Sequence, residues 1–185
     1  MAEENESVTI PPTRPLEWRP LADALGLVPG PVADAVRAGH VPGARVAPVE
    51  DELADTAEFC AAYGVAPELT ANCVLVRGRG GGRDIHAAVL VLASDRADVN
   101  RAVKKHLGAS RLSFARTEEA EELTGMTTGG ITPIGLPAGW PILLDTAVAA
   151  LSDVLIGGGG RTAKILVPGR DLAALPGAEV LALAL

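Results

Sequence analysis

Apolar residues in this chain come in short runs, each closed off by glycine or proline. Two runs dominate: TANCVLVRG (70–78) and RDIHAAVLVLA (83–93) are aliphatic and rich in β-branched residues, and the RGRGGG between them predicts a hairpin. ARVAPV (44–49), RLSFA (111–115), WPILLD (140–145), DVLIG (153–157), TAKILV (162–167) and AEVLALA (178–184) are further strand candidates. Helical spacing marks EDELADTAEFCAAYG (50–64), with acidic residues early and glycine at its close, and RADVNRAVKKHLG (96–108). TEEAEELTG (117–125) predicts a short acidic helix opened by a Thr cap, and TAVAALSD and GRDLAAL predict brief helical turns. Strands and helices alternate without a regular βαβ period, so the fold class is α/β: one domain around a curved, mixed, mainly antiparallel sheet flanked by short helices.

The N-terminal part is set apart by its pattern. Residues 1–15 are charged and then proline-rich, which predicts a flexible lead-in, and two short helices around VPGP follow, packed outside the core. The expected division is 1–43 for this lead-in and its helices, and 44–185 for the domain proper.

Composition narrows the partners. The net charge of −7 argues against non-specific coating of nucleic acid, though not against a local cationic patch. Arg101, Lys104, Lys105, His106 and Arg111 form the densest such group, on or just after one helix. The acidic opening lacks the apolar region of a signal peptide, and no apolar run reaches membrane-spanning length, so a cytoplasmic protein without a membrane partner is expected.

Side chains with catalytic potential are sparse. Cys60 and Cys73 read as small core residues, and His40, His86 and His106 fall in separate elements without the spacing of a triad or a metal set; no metal or cofactor is expected. GGGGR (157–161) reads as a tight turn with a solvated arginine. The loudest feature is TGMTTGGITPIGLP (124–137), with four glycines and two prolines in fourteen positions. Glycine lets backbone or ligand approach closely and proline stiffens the path, so this loop either turns a corner or presents amides to a ligand.

The order of HLGASRLSFARTEEAEELTGMTTGGITPIGLP, ILLD and IGGGGRTAKILVPGRDL resembles the YbaK/ProX-type aminoacyl-tRNA deacylases, also found as the editing domain of bacterial prolyl-tRNA synthetases. The resemblance runs from about Arg45 to the C-terminus. It implies a barrel-like curved sheet and hydrolysis of the ester of a mischarged tRNA by a free-standing editing domain, as a monomer or homodimer, with an aminoacyl-tRNA synthetase as a further partner. The family's Gly-x-x-x-Pro loop falls on Gly129, Gly130, Ile131, Thr132 and Pro133, and in the mechanism the resemblance implies this stiff backbone contributes amides near the ester carbonyl and terminal ribose. Asp145 and the turn Gly157, Gly158 and Gly159 would support the substrate pocket. The cationic group at Arg101, Lys104, Lys105 and Arg111 would take tRNA phosphates. One position departs from the pattern: where the family carries a lysine that orients the substrate, this chain has Asn72. Lys164 is the lysine expected to reach the same pocket if the barrel curves tightly. The alternatives are a non-catalytic module binding a nucleotide or aminoacyl-adenylate-like ligand, and a hydrolase of other small acyl esters.

Overall fold

The computed structural model describes residues 15–185, so the expected lead-in over 1–15 lies, Pro15 apart, outside the described residues. β3 (Ala71–Gly80) and β4 (Arg83–Leu92) form the long hairpin that the sequence predicts. Gly81 and Gly82 turn it with φ of +58° and +76°, and two successive positive φ values are what a tight hairpin of this hand requires. Around this hairpin a five-stranded sheet runs β5 (Arg111–Phe114), β3, β4, β6 (Ile142–Asp145), β9 (Ala178–Leu181). Its first three strands are antiparallel, and β6 and β9 add in parallel, so the sheet is mixed. A second, antiparallel sheet runs β1 (Arg19–Pro20), β2 (Arg45–Pro48), β8 (Ala163–Val167), β7 (Val154–Gly157).

The expected barrel-like sheet is therefore corrected to two sheets, not closed on one another. Among the described residues their backbones pair at one bridge, between Thr70 and Leu155. The reason lies in strand length: β5 pairs only with Val76–Arg79, leaving the first half of β3 open on that side. That open edge becomes the floor of the site described below.

β4 is apolar throughout because both of its faces are covered. Ala88, Leu90 and Leu92 join the main core against Val46, Ile156 and Ile165 of the second sheet. Ala87, Val89 and Val91 face a smaller cluster with Val99, Val103 and Leu183. Leu21 and Val32 are fully buried in the main core, so the packing does not stop at residue 44, where the sequence places the start of the domain.

Helices are shorter and more broken than their patterns predict. Residues 50–64 divide into a 3-10 turn at Asp51–Leu53 and α2 (Thr56–Tyr63), and the first N-terminal helix is two 3-10 turns ahead of α1 (Gly30–Arg37). Residues 99–103 form a π-helical turn running into α3 (Lys104–His106). In α4 (Thr117–Thr124) Arg116 holds the cap position and Thr117 is already helical, so the expected Thr cap is not made. α5 (Thr146–Ala150) and α6 (Gly169–Ala173) match the two brief turns. Among the described residues no helix is long and apolar enough to cross a membrane.

Candidate functional site

A cleft of about 360 Å³ opens where β3 has lost its neighbour. Residues 71–75 of β3 form one wall, and Leu155, Ile156, Gly157 and Lys164 of the second sheet form another. The start of α2 brings Asp55, Thr56 and Phe59, the start of α4 brings Thr117 and Ala120, and the glycine-proline loop brings Thr128, Gly129 and Ile131.

The loop is held by backbone against backbone. Gly159 N–H donates to Gly130 O at 2.6 Å, and Thr127 N–H donates to Gly159 O at 2.9 Å. A Cβ on Gly130 would run into the carbonyl of Gly160, and one on Gly157 into the carbonyl of Gly130. The two glycine-rich stretches that sequence treats separately are thus one packed unit, each requiring the other to lack side chains. Gly129 and Ile131 face the cleft, and among the described residues their N–H groups donate to no protein acceptor.

Opposite the loop, the Asn72 side-chain carbonyl accepts a hydrogen bond from the Thr56 hydroxyl at 2.8 Å. Lys164 reaches the cleft from β8, as the sequence expects, but it is buried: Nζ donates to the Ala54 carbonyl at 2.6 Å and lies 5.2 Å from the centre of the Phe59 ring. Burial pulls its ammonium below the usual lysine range, against the opposing pull of Asp55. Arg161, read from sequence as solvated, clamps the entry to α2 by pairing with Asp51 at 2.7 Å and Asp55 at 3.3 Å. Cys73 also lines the cleft, with its thiol pushed up to about 12 by burial, which leaves it protonated and un-nucleophilic at neutral pH.

Not every expected residue meets here. Asn72, Gly129, Ile131, Gly157 and Lys164 line the cleft. Gly130, Gly158 and Gly159 stand behind it as packing surface. Thr132 is fully buried, and Pro133 lies beside a different cavity, with Trp140. Asp145 does not reach the cleft: its carboxylate caps α5 through Ala147 N–H and accepts from Leu183 N–H and Ala184 N–H, anchoring the C-terminus. Lys104 and Arg111 line a separate groove, while Arg101 and Lys105 stand exposed outside it. Sequence reasoning missed Thr56, because a threonine ahead of an apolar run signals only a helix start. It missed Phe114, which stands 61% exposed at the cleft although its run reads as a strand. Among the described residues no group of three or more His, Cys, Asp or Glu gathers to hold a metal ion.

The aminoacyl-tRNA editing domain matches residues 50–175. A proline–tRNA ligase of Bacillus licheniformis is 33% identical over 101 residues, which cover 54% of this chain and 17% of the ligase. Among solved structures, a candidate trans-editing enzyme for prolyl-tRNA synthetase superimposes with a TM-score of 0.72 at 25% identity, covering 84% of this chain and 95% of that one. A hypothetical protein, APE2540, matches with the same TM-score and identity over 84% of this chain and all of its own.

Proposed function

The chain belongs to the aminoacyl-tRNA editing domain family, and from that premise we propose that its cleft binds the aminoacylated 3′ end of a mischarged tRNA and hydrolyses the ester. The carrying observation is the pair of uncommitted amides at Gly129 and Ile131, on a loop that backbone packing keeps rigid. Donors already aimed where oxyanion charge develops need no reorganisation and are worth several kcal/mol in a site sheltered from water, on the order of 3 per donor. Water adds to the ester carbonyl, the oxyanion is held by these amides, and the intermediate collapses with loss of the ribose oxygen. That oxygen takes up the proton that water gives up, releasing amino acid and intact tRNA.

The side chains of the cleft fit supporting roles. Asn72, its carbonyl held by Thr56, offers its amide N–H groups to the substrate. With Cys73 protonated and Lys164 donating to Ala54, neither group serves as the nucleophile, which favours water. The prolyl-tRNA ligase and trans-editing likenesses favour a prolyl-tRNA synthetase as the associated enzyme, in the cytoplasm where tRNA is charged.

The test is deacylation by the purified protein of a panel of mischarged tRNAs, including tRNA-Pro carrying a non-cognate amino acid. Hydrolysis above the spontaneous rate for at least one of them is expected. Tight binding with no hydrolysis across the panel would replace the editing reading with that of a binding module.

A further inference from the structure

The open edge of β3 presents unpaired backbone to the cleft. N–H and C=O groups alternate in direction along a strand, so each edge of β3 uses every second residue. Ala93 N–H donates to the Thr70 carbonyl at 2.8 Å, which assigns the even-numbered residues to the ladder with β4. Ala115 N–H donates to the Leu75 carbonyl at 2.9 Å and Ser110 N–H to the Arg79 carbonyl at 2.7 Å, which assigns the odd-numbered residues to the β5 side. Cys73 is odd, and it falls between the stretch that β5 pairs and the bridge at Thr70. Among the described residues neither its N–H nor its carbonyl has a hydrogen-bond partner, and the space they face is the cleft. Its side chain packs on the main core, as do Ile131 and Ile156, which line the same cleft.

We infer that the aminoacyl group lies on this edge as a one-residue strand, its α-ammonium donating to the Cys73 carbonyl and its acyl carbonyl accepting from Cys73 N–H. The inference rests on the editing reading and deepens it, naming the group that the cleft recognises whatever the amino-acid side chain. Residues opposite one another in an antiparallel pair exchange both bonds, and an α-amino acid ester carries its two groups at that spacing. The acyl oxygen keeps a second lone pair for the loop amides across the cleft. An ammonium brings donors and no acceptor, so its site must supply lone pairs. The Asn72 side-chain carbonyl and the Asp55 carboxylate already have donors, in Thr56 and Arg161, whereas the Cys73 carbonyl has none. Asp55 and Lys164 are the charged residues lining the cleft, one of each sign, so the ammonium meets no net repulsion there. Opposed side chains share a face, so an L-residue turns its side chain toward Cys73, Ile131 and Ile156, and a D-residue turns it away.

The chain has two cysteines, so protein carrying a carbon isotope label at its cysteine carbonyls gives two NMR signals, which Cys60→Ala assigns. The Cys60 carbonyl already accepts from the N–H groups of Gly64 and Val65 at the end of α2 and is the internal control. The probe is 3′-L-alanylamino-3′-deoxyadenosine, in which an amide replaces the labile ester. Its propanoyl counterpart lacks the ammonium, and its D-alanyl counterpart reverses the side chain. The L-alanyl compound is expected to move the Cys73 carbonyl signal downfield and to leave that of Cys60 in place. The propanoyl compound should bind about tenfold or more weaker, the loss of one charged hydrogen bond. The D-alanyl compound should bind about fourfold weaker, the worth of one methyl group taken from an apolar wall. A Cys73 signal unmoved by saturating L-alanyl compound, equal binding of the propanoyl compound, or no binding of the L-alanyl compound overturns the inference. Hydrolysis is measured apart from binding. A protein that deacylates mischarged tRNA with its Cys73 signal unmoved loses the inference and keeps the editing reading, and one that binds through Cys73 yet hydrolyses nothing does the reverse.

Discussion

The Thr56 hydroxyl donates to the Asn72 side-chain carbonyl at 2.8 Å, which leaves the amide nitrogen as the end of Asn72 available to the cleft. A free asparagine amide presents either face, whereas this one is committed as a donor. Thr56→Val removes the tether without changing the shape of the side chain. One neutral hydrogen bond contributes about 1 kcal/mol, so KM for a mischarged tRNA should rise about fivefold with little change in melting temperature. Thr56→Ser should restore it. An unchanged KM in Thr56→Val would show that Asn72 needs no positioning.

Gly130 is where a substitution tests the packing rather than the chemistry. Its missing Cβ is filled by the Gly160 carbonyl, so even Gly130→Ala must push the loop away from the 157–160 turn. Overpacking of this kind costs about 1–3 kcal/mol, which lowers the melting temperature of a chain this size by roughly 3–10 °C. Deacylation should fall together with stability. Full activity with an unshifted melting curve would mean that the loop relaxes freely and is no rigid amide frame.

Asp145 separates a structural role from a catalytic one. Both carboxylate oxygens are engaged by backbone N–H groups at the start of α5 and near the C-terminus. Asp145→Asn replaces one of these acceptors with a donor that faces another donor, a loss of about 1–3 kcal/mol. Thermal unfolding should detect it, while kcat/KM measured well below the transition stays at the wild-type value. A fall in kcat/KM without a fall in stability would return Asp145 to the substrate site.

These cases mark how far the sequence could be read. The β3–β4 hairpin was legible because aliphatic alternation and a glycine turn are local signals, and so was the loop at 124–137. Asp145 was not, because its partners Leu183 and Ala184 lie far along the chain and only the parallel pairing of β6 with β9 brings them near. Arg161 fails the same way: nothing local ties it to Asp51, 110 residues earlier. The single barrel was misjudged because closure depends on strand length, and the four-residue β5 stops short of the part of β3 that a barrel would need paired.

Lys164 predicts a pH dependence. Its folded-state pKa lies below the unfolded value, so the unfolded chain binds more protons over the interval between them, and stability rises with pH there. Below the folded value the burial penalty is present in full. Lys164→Met should abolish this alkaline gain, as measured by chemical denaturation from neutral pH up to the ordinary lysine range. A parallel pH dependence in wild type and variant would mean that the ammonium is solvated.

Asn72 stands where the resemblance implies a lysine, and Asn72→Lys tests what that difference means. A lysine there would bring a full charge into a cleft whose existing lysine is buried and bonded to Ala54. Charged hydrogen bonds contribute roughly 1.5–3 kcal/mol against about 1 for neutral ones, so deacylation of the family's usual mischarged tRNAs should rise on the order of tenfold. Two effects oppose the gain. The Thr56 bond is lost, and a second cation enters the cleft lined by Lys164. Because Asn72 is only half-buried at the open edge of β3, the longer side chain has room to extend, and the melting temperature should stay within a few degrees of wild type. Paired single-turnover assays of the two proteins on the same mischarged tRNAs make the measurement. A folded Asn72→Lys protein with no gain on any of them would mean that the neutral amide is tuned to a different ester, and that the substrate of this cleft is not the family's usual one.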